Sequence, residues 1–456
     1  MNTRCSILAG FAAFAFLANP VMAQADAYSA DDFNELHCGW PQLFSPEGPA
    51  NIQGPDDAAR YWIMPFDTTQ YRTMTIHGTY PHLRYFAIAA YETVATDNGY
   101  TFEVGDPLHD AEIYPDQGSN PFMPPGGGSG TYTVEITRGG SNGAANEITV
   151  TSDLVWVVLR AYVPDADASL TGQSLMGGVP VPAITLTDYA GASEELETCS
   201  PINKWSDLIA LGQLLFPPEL DLTVDEGTPA SDRLWFASPL KPPGNLWPNP
   251  DGKYLMMMPG REYQPGRIIV IHARAPGFPD TFNGSPVWEP ARGFRSVDMR
   301  YWALCNMNLT SPPSVVACAT DLSTTLQAQE YTIIISDDRQ RPGWLRPNVN
   351  WLPWGDGQYP KFVVLRNILP SPDFEHDAQD VWDSGCTFDF EFPETPDRRA
   401  LDEAGPCALE EMGDYYPVAL WCDKETFLAG GFRACLRRDG DKRDTGRAGQ
   451  PYKSKP

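Results

Sequence analysis

The chain is 456 residues long, which suggests two or three domains, and its 42% hydrophobic content is enough for real cores. A formal net charge of −27 argues against nucleic-acid binding and against adhesion to anionic lipid. Forty-four prolines and 39 glycines, set among 13 tryptophans, 19 tyrosines and 21 phenylalanines, favour an all-β protein.

Residues 1–23 read as a secretory signal. Arg4 supplies the positive start, ILAGFAAFAFLA the short apolar run, and Val21-Met22-Ala23 a small-residue cleavage site before Gln24. The run is shorter than the roughly 20 residues of a spanning helix. The expectation is therefore export to the periplasm or beyond, with no membrane span and an N-terminal extension over 24–55. Strand signals dominate from there. TYTVEIT (131–137) alternates with period two, and DLVWVVLRAYV (153–163) reads as a strand buried on both faces, as do RIIVIHARA, YTIIIS and KFVVLRNIL. PPGGGSG (124–130) and GGSNG (139–143) punctuate them as turns. One helix is expected after Ser200, with Pro201 at its first position, apolar residues at 202, 205, 208, 209, 211, 215 and 216, and Pro217-Pro218 as its stop.

The two regions flanking that helix echo each other in order. YWIMP (61–65) matches YLMMMP (254–259), MTIHGTYP (74–81) matches IVIHARAP (269–276), and RYFAI (84–88) matches RYWAL (300–304). YTVEIT (132–137) matches YTIIIS (331–336), and VVLRAYVPDAD (157–167) matches VVLRNILPSPD (363–373). Five matches in one order indicate a duplication. The expected fold is mainly all-β, with two tandem antiparallel β-sandwich or jelly-roll-like domains at 56–198 and 226–385. A short helical connector at 199–225 joins them, and a Cys-rich tail at 386–456 comes last; a single large barrel is the alternative.

RYFAIAAYE, AEIYPDQGSNPF, YTIIIS, and VNWLPWG followed by FVVLRNILPSPDF resemble a group of exported bacterial proteins of unknown function. More distantly, the chain is similar to the paired domain-of-unknown-function families numbered 1254 and 1214. Asn350-Trp351-Leu352-Pro353 and Leu365-Arg366 match a segment of their second domain. The resemblance covers roughly residues 55–375 and implies tandem jelly-roll-like domains. It brings no reaction and no catalytic residues.

Cys5 leaves with the signal, and eight cysteines remain at 38, 199, 305, 318, 386, 407, 422 and 435, enough for four disulfides in an oxidising compartment. No C-x-x-C occurs, so no metal site is expected of them. Cys305 and Cys318 flank a turn-like segment and could bridge a hairpin, and the last four could staple the tail; other pairings stay open.

Gly139-Gly140-Ser141-Asn142-Gly143 matches the G-x-S-x-G pattern, but a strand comes next where a nucleophile elbow needs a helix, and Asn142-Gly143 reads as a hairpin turn. The six histidines form neither H-x-H nor H-E-x-x-H. The duplication pairs His77 with His272, Arg84 with Arg300, and Arg160 with Arg366. Residues repeated in both copies are explained by what both copies need, a buried side chain that hydrogen-bonds loop carbonyls. The rival reading has the arginines presenting guanidinium forks to a carboxylate or sulfate ligand in a cleft.

Residues without an echo are the functional candidates. His82 is one. His109 is another, lying amid Asp106, Asp110, Glu112 and Asp116, where it could act as a base with an acidic orienter. The same carboxylates could bind calcium, or form a solvated acidic loop. Arg339, Arg341, Trp344, Trp351 and Trp354 cluster in sequence, as platforms for a sugar or apolar ligand or as core residues. The leading expectation is an exported protein binding a small organic or carbohydrate ligand in an aromatic and Arg-lined cleft between two β-domains. The alternatives are a periplasmic hydrolase or lyase using His82 or His109 with Asp110 or Asp116, and an envelope interaction or structural protein. Oligomeric state is left open.

Overall fold

The computed structural model describes residues 38–47, 51–52, 54–96, 99–105, 107–164, 176–199, 232–240, 247–260, 263–281, 284–287, 298–310, 313–389 and 398–444. The expected signal segment and the expected helix after Ser200 lie outside these residues.

The first half contributes β1 (Cys38–Gly39), β2 (Gln42–Phe44), β3 (Ala59–Asp67), β4 (Tyr71–Thr79), β5 (Leu83–Thr96), β6 (Gly99–Val104) and β7 (Leu108–His109). It continues with β8 (Pro115–Gly118), β9 (Gly130–Arg138), β10 (Glu147–Val150), β11 (Leu154–Pro164), β12 (Ala183–Asp188) and β13 (Ser193–Thr198). One sheet runs β1-β13-β12-β4-β9-β10 with β8 also on β9, and the other runs β2-β3-β11-β5-β6 with β7 also on β5. The second half contributes β14 (Arg233–Leu234), β15 (Ser238–Pro239), β16 (Gly252–Gly260), β17 (Arg267–Arg274), β18 (Met299–Asn308) and β19 (Ser314–Thr320). Then come β20 (Glu330–Ser336), β21 (Asn350–Pro353), β22 (Lys361–Pro370), β23 (Thr387–Phe388) and β24 (Val418–Asp423), with helices α1 (Ala378–Asp383), α2 (Arg398–Met412) and α3 (Lys424–Asp444). Its sheets run β14-β24-β17-β20-β21 and β16-β22-β18-β19, and β15 pairs with β23.

The two halves share one strand order. β12-β4-β9-β10 corresponds to β24-β17-β20-β21, and β3-β11-β5-β6 to β16-β22-β18-β19. A parallel pairing repeats too: β9 with β10 and β20 with β21 are parallel at matching places in the two halves. So do uncommon backbone conformations, since Val163 and Leu369, three residues after the repeated arginines Arg160 and Arg366, have φ of 48° and 46°.

Two expectations change here. Residues 139–146 are not a hairpin turn, because the next strand returns parallel to β9. The Glu147 carboxylate draws that loop together, accepting from the Ser141 hydroxyl at 2.5 Å and the Asn142 backbone N–H at 2.7 Å. The described part of the expected Cys-rich tail is not simply appended either: β24 lies inside the second half's sheet, between β14 and β17. The excursion through α1, β23 and α2 merely delays its arrival.

All eight cysteines pair: Cys38–Cys199, Cys305–Cys318, Cys386–Cys407 and Cys422–Cys435. Cys305 and Cys318 face each other across β18 and β19. No helix among the described residues is long and apolar enough to cross a membrane.

Apolar alternation on these strands builds five buried clusters among the described residues, three of them large. One fills the first sandwich, around Trp62, Phe86 and Ile136. A second fills the other, around Trp302, Ile333 and Trp421. The third lies on the seam, where β3, β5 and β11 present Ala59, Tyr85, Ala87 and Tyr162 to Met256, Tyr301, Ala303 and Val364 of β16, β18 and β22.

Candidate functional site

The repeated arginines all work across this seam. Arg84 of β5 sits 3.3 Å from Asp321 through its Nε and donates to the Pro279 carbonyl at 2.5 Å. Arg300 of β18 donates back to Asp110 at 2.6 Å and to the Arg84 carbonyl at 2.9 Å. Arg160 of β11 donates to the Trp247 carbonyl at 2.6 Å, and Arg366 of β22 donates to the Gly54 carbonyl at 2.5 Å. Gly54 and Trp247 each stand seven residues before a repeated tyrosine, Tyr61 or Tyr254, and both have positive φ, 58° and 50°. Each half therefore reaches into the same place on the other, as a local two-fold relation would arrange it.

Between Arg160 and Arg366 the seam is not filled. A partly open cavity of about 90 Å³ is lined by residues of both halves, including Tyr61, Tyr162, Trp247, Asn249, Tyr254 and Phe362 as well as the two arginines. One water needs roughly 10–15 Å³ on this measure, so the space suits a molecule of about six to nine non-hydrogen atoms. The walls are mostly apolar, and aromatic rings stand among them. Arg366 lies over the Tyr254 ring at 5.4 Å, and Arg160 lies over the Tyr91 ring at 5.4 Å while donating to its hydroxyl at 2.7 Å. Tyr61 donates to the Tyr162 hydroxyl at 3.2 Å, and burial pushes both hydroxyls above their ordinary pKa, so they remain protonated near neutral pH.

Several buried N–H groups of these lining residues have no hydrogen-bond partner among the described residues: Arg160 Nη1, Arg366 Nε, Asn249 Nδ2 and Trp247 Nε1. Among the described residues, no buried side-chain acceptor on the same lining is left without one. Buried donors are ordinarily satisfied, and each orphan costs about 1–3 kcal/mol.

The two arginines differ in their nearest acid contact. Asp56, five residues before Tyr61, lies 3.9 Å from Arg366 Nε and accepts from the Tyr301 hydroxyl at 2.8 Å. Burial raises Asp56 and the Arg366 charge lowers it. The corresponding position before Tyr254 is Asn249, an amide. Among the described residues no carboxylate forms an ion pair with Arg160. Asp251 acts on it only from farther off. Burial raises that carboxyl, while its 2.5 Å bond from the Tyr85 hydroxyl, His109 and the Arg160 charge lower it.

The unrepeated candidates lie elsewhere. His82 is exposed on the turn between β4 and β5, where its backbone N–H meets the Gly177 carbonyl at 2.9 Å. His109 lies 3.3 Å from Glu112, and Asp116 accepts from the Thr133 hydroxyl at 2.6 Å. Asp110 is buried against Arg300 and Phe86, so these carboxylates are directed to separate partners and do not converge as calcium ligands. Asp106 lies outside the described residues. His77 and His272 make matching cross-strand bonds to Thr133 at 2.8 Å and Thr332 at 3.0 Å, but His77 is exposed rather than buried.

Arg339, Arg341, Trp344, Trp351 and Trp354 do not share a cleft. Trp354 is buried in the second sandwich beside Tyr263 and Trp421, whereas Trp344 and Trp351 pack on the opposite face of that sheet under α3. Arg341 donates to the carbonyls of Arg346 and Val349, and Arg339 is exposed. Strand alternation turns Trp351 away from Trp354, a separation that adjacency in sequence conceals. The group of three metal-ligating side chains that converges among the described residues is Asp56 with Cys305 and Cys318, and the disulfide occupies both sulfurs.

No family model matches the chain, and no curated protein matches it. Among solved structures it is similar to an uncharacterized protein from Burkholderia cenocepacia, at 15% identity over 77% of this chain and 83% of that one, with a TM-score of 0.45. It is also similar to a protein from Vibrio parahaemolyticus, at 12% identity over 70% and 86% of the two chains, with a TM-score of 0.35. At these TM-scores the likenesses carry no functional information.

Proposed function

We propose that this is an exported binding protein that takes a small organic molecule into the cavity between Arg160 and Arg366. The supporting observation is the cavity itself. It is an unfilled, largely apolar space at a junction of two β-sandwiches, beside the buried apolar cluster of the seam. Four disulfides fit an oxidising compartment. Neither His82 nor His109 is among the lining residues, so the hydrolase or lyase reading has no acid–base pair at this site.

A thermal-shift screen tests the proposal. Its library is small aromatic and aliphatic molecules of both charges and none, with monosaccharides included. Members of one chemical class should raise the Tm of the wild-type chain and leave Ile52→Trp, which fills the cavity from its loop wall, unmoved. No stabilisation by any class, or equal stabilisation of both proteins, contradicts it.

A further inference from the structure

The ligand class can be read from the inequality of the two ends. A duplicated chain would be expected to give both arginines the same surroundings. Arg366 has a carboxyl, Asp56, at 3.9 Å, whereas the matching position before Tyr254 is the amide of Asn249, and the nearby carboxyl of Asp251 acts on Arg160 without forming an ion pair. Asn249 is oriented by the Asp251 backbone N–H, which donates to its Oδ1 at 3.2 Å, so its Nδ2 is left as a donor. Arg160 is 2% exposed and its Nη1 is unsatisfied. Trp247 adds a third N–H, and its backbone is held at φ 50°, an uncommon conformation for a residue with a side chain. Arg160 is thus a buried cation on the cavity lining with no ion-pair partner among the described residues, a charge that an anionic ligand would balance.

We infer that the cavity binds a small organic monoanion, an aromatic or branched aliphatic carboxylate. Its carboxylate is held at the Arg160–Asn249–Trp247 end and its apolar body lies among Tyr61, Tyr254 and Phe362. This rests on the small-ligand reading and narrows it. A dianion is disfavoured because the opposite end already holds Asp56. A neutral sugar is disfavoured because the mostly apolar walls would strip water from its hydroxyls without replacing those hydrogen bonds.

Benzoate and benzamide, equal in shape and differing in charge, are the probes, with calorimetric titration of the full chain as the readout. Wild type should bind benzoate at least about tenfold more tightly than benzamide. Asn249→Asp, which gives Arg160 the carboxyl that Arg366 already has, should weaken benzoate at least about tenfold and leave benzamide within about twofold. Equal affinity of wild type for the two probes overturns the anion assignment while leaving the small-ligand reading standing. Binding of neither probe to wild type overturns the assignment, and an empty result across the wider library overturns the reading beneath it. Undiminished benzoate preference in a folded Asn249→Asp chain overturns the placement at Arg160. If that variant fails to fold, the wild-type comparison alone decides the charge.

Discussion

Arg84 and Arg300 hold the same place in the two halves, yet their acids are differently satisfied. Asp110 accepts from Arg300 at 2.6 Å and from the Phe86 backbone at 3.1 Å. Neither side-chain oxygen of Asp321 has a well-aligned hydrogen-bond donor, and burial lifts its pKa to about 7 against the pull of Arg84. Asp110→Asn should therefore cost about 3 kcal/mol, as loss of one member of a well-bonded buried pair does. Asp321→Asn should cost about 1 kcal/mol or less at pH 7, because the native carboxyl is already half protonated there. Urea titrations of the two variants check the order, and equal losses contradict it. The pH dependence has a definite sign. A carboxyl raised in the folded chain keeps its proton after the unfolded chain has lost it, so stability present in acid is lost as pH climbs from about 4 to about 7. Asp57, at about 7, and Asp377, at about 6, both raised first by burial, act in the same direction. The chain should melt at a higher temperature at pH 5 than at pH 8, and Asp321→Asn should reduce that difference; a Tm that rises toward pH 8 contradicts this. The repeated arginines themselves were legible in the sequence as an echo. Their acids were not, because Asp110 and Asp321 lie in turns with unlike neighbours, and an echo cannot tell whether a side chain acts within its own half or on the other.

Among the elements, β24 shows where strand patterning succeeds and where it stops. The runs RIIVIHARA, YTIIIS and KFVVLRNIL are long and apolar, and each forms a strand close to where its pattern indicates. VALWCD is six residues between helices, too short for periodicity to separate it from a helix end. Only pairing makes it a strand, with Ile269 opposite Trp421 and Ile271 opposite Ala419. The Cys422–Cys435 disulfide then ties it to α3, whose Phe427 and Cys435 are buried with Ile268, Val270 and Ile334 on the outer face of the sheet. Replacing both cysteines by alanine should cost about 3 kcal/mol, as expected for a loop of this length, and amide exchange should speed up in α3 before the rest of the chain. Unchanged protection of α3 would show that its apolar contacts hold it without the bridge. Gly405 has the opposite sensitivity. A Cβ there would come within 2.5 Å of Trp235 Cβ, so Gly405→Ala should destabilise the chain by about 1–3 kcal/mol, measurable by the same titrations.

At the scale of the whole molecule, the duplication produces an interface as well as two domains. Each half supplies arginines that bond to the other half's carbonyls and carboxylates, over a shared apolar core. The halves should consequently unfold together, and calorimetry should give one transition; two well-separated transitions would contradict the reciprocal seam. The most direct test of the seam as a binding site is crystallographic. A crystal soaked with 4-bromobenzoate and measured at the bromine edge should show an anomalous peak between Tyr61 and Tyr254, with the carboxylate turned toward Arg160. Absence of bromine from that cavity, in crystals whose cavity mouth is open to solvent, would contradict the account.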